Sequence, residues 1–260
     1  MTTSDKLLSV LKLFTLEAPN WSVAEAAQSL DLPLSTTYRF FRSLAKAGLI
    51  SGFENGRYLL GPTISRLDRQ LRLTDPLLNA ARPKLQRIAR ARPGRVIAFI
   101  CRLFGTEVIC VHQEYDDSRP FAIGYERGRP MSLYRGSASK VVLAHLPPRQ
   151  LRVLYERAPA EFAAAELGIS WKEAKLSLQA IRTAGHCVTT GDVDPGMRGV
   201  SVALFSHERK IIGSLNVAGR RGAIPDGSLK TILRDLRSAA SQIERRLHRH
   251  AAGNSARHLR

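Results

Sequence analysis

Residues 4 to 61 hold three helix-forming segments followed by an Asn-Gly turn between apolar runs, a succession that few folds accommodate. Ser4 can cap a first helix whose apolar residues Leu7, Leu8, Leu11 and Phe14 recur at helical spacing. After a loop through Pro19 and Asn20, Ser22-Val23-Ala24-Glu25 forms a capping box. The serine oxygen there accepts the amide three residues on, and the glutamate reaches back. The second helix runs to about Leu30 and is broken by Asp31-Leu32-Pro33. The third begins near Ser35 and stops at Gly48, a suitable left-handed terminator. Leu49 to Phe53 and Arg57 to Leu60 read as strands joined by Asn55-Gly56, whose turn positions favour positive φ. Three helices and a two-stranded hairpin make a winged helix-turn-helix over residues 1–62.

Along the third helix, Thr37, Tyr38, Phe41, Leu44 and Ala45 share an expected inner stripe. Ser35, Thr36, Arg39, Arg42, Ser43 and Lys46 fall opposite. Short hydroxyl side chains allow close approach to a major groove, and arginine grips guanine edges or phosphate. Ser35, Thr36, Thr37, Arg39 and Arg42 are therefore the expected DNA contacts, with Arg57 on the wing for phosphate. The plain alternative is an ordinary solvated helix face.

Charge supports a polyanion partner without locating it. The net charge is +18, yet residues 1–62 carry only six basic side chains against five acidic ones. Most of the excess lies beyond them. Hydrophobic residues make up 44% and charged residues 24%, which excludes a wholly disordered or collagen-like chain. No apolar run approaches the roughly 20 residues needed to span a bilayer. The N-terminus lacks the basic start and continuous apolar stretch of a signal peptide, so a cytoplasmic location is expected. Cys101, Cys110 and Cys187 are odd in number and form no C-x-x-C pair, which argues against a disulfide framework or a zinc ribbon.

Residues 63–92 read as linker helices. Ile64, Leu67 and Leu71 lie on one side of the first, opposite Arg66, Arg69 and Arg72, and Asp75-Pro76 can restart a second. That apolar stripe suits either its own domain or a second chain. From 93 to 250 the pattern changes. Val96–Arg102, Glu107–Gln113, Phe121–Tyr125, Met131–Tyr134, Val200–Phe205 and Ile211–Val217 read as strands. Helices are expected over Ser137–Leu146, after Pro147-Pro148, from the box Ser170–Glu173 to Ala184, and from about Gly227 to His250. Short turns between strands, with helices grouped between pairs, imply an antiparallel sheet flanked by helices, hence an α+β chain. Residues 251–260 read as a polar, basic tail.

Ser35-Thr36-Thr37-Tyr38-Arg39-Phe40-Phe41-Arg42-Ser43-Leu44, Gly48-Leu49-Ile50 and Gly56-Arg57-Tyr58-Leu59-Leu60-Gly61 resemble the head of the IclR family of bacterial transcriptional regulators. Phe40-Phe41 stands where paired leucines are usual. The resemblance continues through Gly136-Ser137-Ala138-Ser139-Lys140, Ile181-Arg182 with Gly185-His186, and Ser214-Leu215-Asn216-Val217-Ala218-Gly219, and covers about residues 4 to 248. It implies a GAF-like effector domain that binds a small organic or aromatic acid through Gly136, Ser137, Ala138, Asp192, Gly199, Asn216 and Ala218. It also implies a homodimer on a palindromic operator. A dimer of dimers stays open. This chain departs from the family at Ser139 for glycine, Asn216 and Ala218 for serines, and Asp192 for glutamate.

Other chemistry is weaker. Ser137-Ala138-Ser139-Lys140 matches Ser-x-x-Lys, which places serine and lysine one helical turn apart in some acyl-transferases, so a small-molecule hydrolase is the rival reading. No Ser-Asp-Asn or Lys-Thr-Gly element accompanies it. The seven histidines have no partners at metal-ligand spacing, and no phosphate-binding glycine loop occurs. Neither metal, cofactor nor catalysis is expected. Arg127, Arg129, Arg135, Lys140 and Arg198 flank the pocket segments and can meet a carboxylate.

Overall fold

A computed structural model describes residues 2–116 and 121–257, the stretch 251–257 by its backbone alone. The chain divides into two units, Met1–Asp75 and Pro76–Arg260.

The first unit begins with α1 (Thr3–Ser9), continued by a 3-10 turn over Val10–Leu13. Its cap is Thr2, boxed with Asp5, and not Ser4. Strand β1 (Trp21–Ser22) leads into α2 (Val23–Ser29), which the expected Ser22–Glu25 box caps in both directions. Helix α3 (Leu34–Lys46) follows, then β2 (Ile50–Gly52) and β3 (Arg57–Leu60). The wing turn has positive φ at Asn55 and Gly56, as the Asn-Gly pair demands. Sequence pattern did not reveal β1, which pairs its two residues with β3 and makes the hairpin a three-stranded sheet. The core is Val10, Ala26, Phe40, Phe41, Leu44 and Ile50. Phe41 meets Tyr58 edge to face at 5.0 Å. Gly48, at φ +67°, ends α3 in the left-handed conformation that residues with a Cβ rarely adopt. Helix α4 (Pro62–Thr74) closes the unit, with Gly61 as cap and Pro62 at its first position.

The second unit starts at α5 (Pro76–Arg90), so the stretch expected as a linker, 63–92, divides between the units. Leu77, Leu78, Ala81, Leu85 and Ile88 of α5 are buried and belong to this unit's core. Strands β4 (Val96–Phe104), β5 (Glu107–Glu114) and β6 (Pro130–Ser132) follow. Then come helices α6 (Ser137–Leu143), α7 (Pro148–Arg157), α8 (Pro159–Ala164) and α9 (Trp171–Ala184). Strands β7 (Cys187–Thr190), β8 (Met197–Phe205) and β9 (Ile211–Arg220) precede α10 (Asp226–Arg257). The six strands form one sheet in the order β6-β5-β4-β9-β8-β7, every pair antiparallel.

Alternation along the central strands builds three layers. Val96, Ala98, Ile100, Val200, Val202, Leu215 and Val217 pack against α5 and α10. Ile97, Phe99, Cys101, Ala203 and Ala218 face the other way, toward Val141, Leu143, Phe162 and Leu178. Full burial of each Leu, Ile or Phe contributes roughly 1.5–3 kcal/mol, which is what fixes the strand register. Three expectations change. Phe121–Tyr125 is not a strand; its Gly124 amide donates to the Asp194 carboxylate at 2.6 Å. Short β7 and α8 were not foreseen. Helix α10 continues to Arg257, so the tail expected from 251 is helical there, and residues 258–260 lie outside the described residues.

Candidate nucleic-acid interface and ligand cavity

The buried positions of α3 are Thr37, Phe40, Phe41 and Leu44, a spacing of three, one and three that marks one helical face. Thr37 is fully buried and its hydroxyl donates to the Pro33 carbonyl at 3.2 Å, which removes it from the set of groups able to touch DNA. Tyr38, expected inside, is 60% exposed, and Phe40 takes the inner place. Ser35, Tyr38, Arg39, Arg42 and Lys46 are exposed, and Thr36 is half-buried. Counting turns from Ser35 shows the outer face directly: Arg39, Arg42 and Lys46 lie four, seven and eleven residues on. Tyr38 flanks this row and is the contact candidate that the sequence reading missed. The signal was available in the 37-40-41-44 spacing.

Arg57 lies elsewhere. Its guanidinium donates to the Asn20 side chain and carbonyl and forms an ion pair with Glu25 at 2.9 Å. It ties β3 to the start of α2 and is not a free phosphate ligand. Glu25 accepts the Ser22 amide and the Arg57 guanidinium, which together hold its carboxyl down at about 2. A depressed folded-state pKa gives stability that is complete above the ordinary carboxylate range and lost as pH falls. Thermal melting of the parent chain is therefore expected to weaken between about pH 4.5 and 2 with a contribution from Glu25. Glu25→Gln should lack that contribution, and identical slopes would contradict the assignment.

In the second unit, a small cavity of about 30 Å³ lies between the sheet face and the segments that lead into α6 and β8. Gly136, Ser137, Asp192, Gly199 and Ala218 line it, with Phe99, Tyr125 and Met197 as apolar walls. Ala138 and Asn216, expected with them, are not on its wall. Ala138, in the first turn of α6, packs into the core, and the Asn216 amide folds back onto the Phe99 and Ser214 carbonyls at 3.2 and 3.0 Å. Among the described residues the buried Oδ1 of Asn216 has no hydrogen-bond partner. Gly136 has φ +81°, and a Cβ there would fall on the Tyr125 hydroxyl. That hydroxyl donates to the Arg135 carbonyl at 2.8 Å, and burial pushes its pKa up.

The charged groups around the cavity are already matched. Asp192 accepts the Gly136 amide and the Lys140 ammonium, each at 2.7 Å. Arg135 donates twice to the Asp192 carbonyl, at 3.1 and 2.7 Å. Arg198 pairs with Asp226 at 2.6 Å, Arg127 donates to the Val111 carbonyl, and Arg129 is exposed. Ser137 is buried with its hydroxyl 2.8 Å from that of Ser201, while Lys140 faces Asp192. The Ser-x-x-Lys pair thus has neither an open nucleophile nor a lysine on it, and the hydrolase reading has no geometric support. All three cysteines are free and buried; burial pushes the thiol of Cys101 well up and that of Cys187 to about 12, which suits inert filler. Among the described residues no cluster of metal-ligating side chains occurs, and no helix is long and apolar enough to cross a membrane.

Comparison with known proteins agrees with both halves. Residues 3–51 match the IclR helix-turn-helix domain, and residues 73–245 match the C-terminal domain of bacterial IclR transcriptional regulators. The chain is 22% identical over 243 residues to the Pca regulon regulatory protein of Pseudomonas putida, covering 93% of this chain and 82% of that one. It is 24% identical over 251 residues to the HTH-type transcriptional regulator XynR of Escherichia coli, covering 94% and 96%. An IclR regulator of Alicyclobacillus acidocaldarius superposes with a TM-score of 0.76 at 22% identity, covering 94% and 98%. An IclR homolog of Microbacterium hydrocarbonoxydans, solved with 4-hydroxybenzoate, gives 0.73 at 18% identity, covering 95% and 99%. The chain belongs to the IclR family of bacterial transcriptional regulators, with an N-terminal helix-turn-helix for DNA and a C-terminal effector-binding domain.

Proposed function

We infer that the protein binds a palindromic operator as a homodimer and that a small organic acid in the C-terminal domain sets its output. The observation that carries the DNA reading is the outer face of α3, where Ser35, Thr36, Tyr38, Arg39 and Arg42 offer hydroxyl and guanidinium groups from a rigid helix. Helix α4 supports the dimer: Leu67 and Leu71 are 48% and 44% exposed on one stripe, apolar surface that a second copy would cover. The cavity at Gly136, Ser137, Asp192, Gly199 and Ala218 supports the effector, and the 4-hydroxybenzoate held by the Microbacterium homolog supports its chemical class. The protein acts by binding and not by turnover, since Ser137 and Lys140 are engaged elsewhere.

Arg39→Ala is expected to weaken operator binding by about 1–3 kcal/mol and to relax base preference at one position of each half-site. Arg57→Ala is expected to leave base preference unchanged, because that side chain serves the fold. Fluorescence anisotropy with operator variants separates the two. Unchanged affinity and footprint for Arg39→Ala would remove it from the interface.

A further inference from the structure

Two spaces in the second unit meet at two residues. Outside the cavity, between α8, α9 and β7, runs a groove of about 680 Å³. Arg135, Lys140 and His186 line it with basic groups against the carboxylates of Glu166 and Asp192, and Leu167, Ala180 and Ile181 give it apolar walls. Thr189 and Asp192 line both the groove and the inner cavity, so they are the partition between them. The groove falls in the size range of small-molecule sites, roughly 300–1,000 Å³. The inner cavity, at about 30 Å³, has room for little more than a water.

Asp192 lies on a strap, residues 191–196, with glycines of positive φ at both ends, Gly191 at +70° and Gly196 at +73°. The strap is latched by the carboxylate itself, on the Lys140 ammonium and the Gly136 amide. It is pinned again where Asp194 accepts the Gly124 amide. Lys140 is 92% buried, and its neighbour across the latch is a carboxylate. Removing that carboxylate without replacing it would strand a buried cation, which is costly. A ligand that brings its own carboxylate avoids the cost, because one anion takes the place of another on the same cation and amide.

We propose that Asp192 is a tethered competitor: an acid arriving in the groove exchanges its carboxylate for that of Asp192, frees the strap and joins groove to cavity. This rests on the reading that the domain takes a small acid, and adds how the acid is admitted and why a neutral analogue is refused. The apolar walls of the groove set the rest of the ligand as a hydrocarbon body, aromatic or aliphatic.

The test is chemical rescue on the full chain. Asp192→Ala deletes the tethered carboxylate, and Asp192→Asn keeps its volume should the alanine variant fail to fold. Melting temperature is followed with sodium formate, acetate and benzoate against sodium chloride at equal ionic strength. The expected result is a carboxylate-specific rise in the variant, with a midpoint at least tenfold lower in concentration than in the parent, abolished when Lys140→Met is added. Equal midpoints in parent and variant would overturn the gate while leaving an acid-binding domain. No carboxylate effect in either would overturn both.

Discussion

Phe41→Ala is expected to destabilise the N-terminal unit by about 3–5 kcal/mol, the usual cost of emptying an aromatic core position. Phe41 is 1% exposed, stacks edge to face on Tyr58 and belongs to an apolar core cluster of six buried residues among the described residues. So small a core has little with which to refill the space. The loss exceeds what a unit of 75 residues can readily spare, so specific DNA binding should disappear with the fold of that unit. The two tryptophans make the effect readable by unit, since Trp21 lies in the first and Trp171 in the second. In a Trp171→Phe background, urea unfolding followed by fluorescence reports the first unit alone. An unfolding free energy within about 0.5 kcal/mol of the parent, the scatter of such measurements, would contradict the assignment of Phe41 to the core.

Lys140→Met carries the second large effect. The Lys140 and Asp192 side chains are 10% and 16% exposed and 2.7 Å apart. Removing the ammonium leaves a mostly buried carboxylate with an amide donor and no cation, an arrangement that costs about 3–5 kcal/mol. Restoring neutrality should return much of that stability, so Lys140→Met with Asp192→Asn is expected to be more stable than Lys140→Met alone. A double-mutant cycle measures the coupling directly. A single variant as stable as the parent, or a double variant worse than both singles, would show that the pair does not hold the strap.

The element pattern of the first unit was legible because its signals are local. The Ser22–Glu25 box, Gly48 and Asn55-Gly56 each name a backbone conformation within four residues, and each is found as expected. What was not legible depends on partners distant in sequence. Strand β1 is two residues long and exists only because Trp21 and Ser22 pair with Tyr58 and Arg57. Arg57 looked like a phosphate ligand until its pairing placed it beside Asn20 and Glu25. Tyr38 and Phe40 exchanged roles because a stripe drawn one residue off still contains Phe41 and Leu44, and only the closer spacing from Thr37 to Phe40 tells the faces apart. In the second unit the long strands β4, β8 and β9 announced themselves by apolar runs. The segment Phe121–Tyr125 has such a run and is no strand, because the Gly124 amide is spent on Asp194. The cavity residues were placed by family resemblance, and five of the seven line its wall. That the Asp192 carboxylate sits on the Lys140 ammonium and the Gly136 amide could not be read from sequence, since it requires Lys140, Gly136 and the strap to meet in space.

The central claim is that the outer face of α3 reads one DNA sequence. It is tested most directly by a gel-shift of the full chain on the DNA upstream of its own gene and the divergent neighbour. The assay is run at physiological salt with excess nonspecific competitor, beside the Arg39→Ala, Arg42→Ala double variant. The account predicts a discrete complex that survives competitor with the parent chain and is lost with a variant whose melting temperature is unchanged. A complex that competitor removes equally from both would mean that a net charge of +18 binds phosphate without reading bases, and would contradict the account.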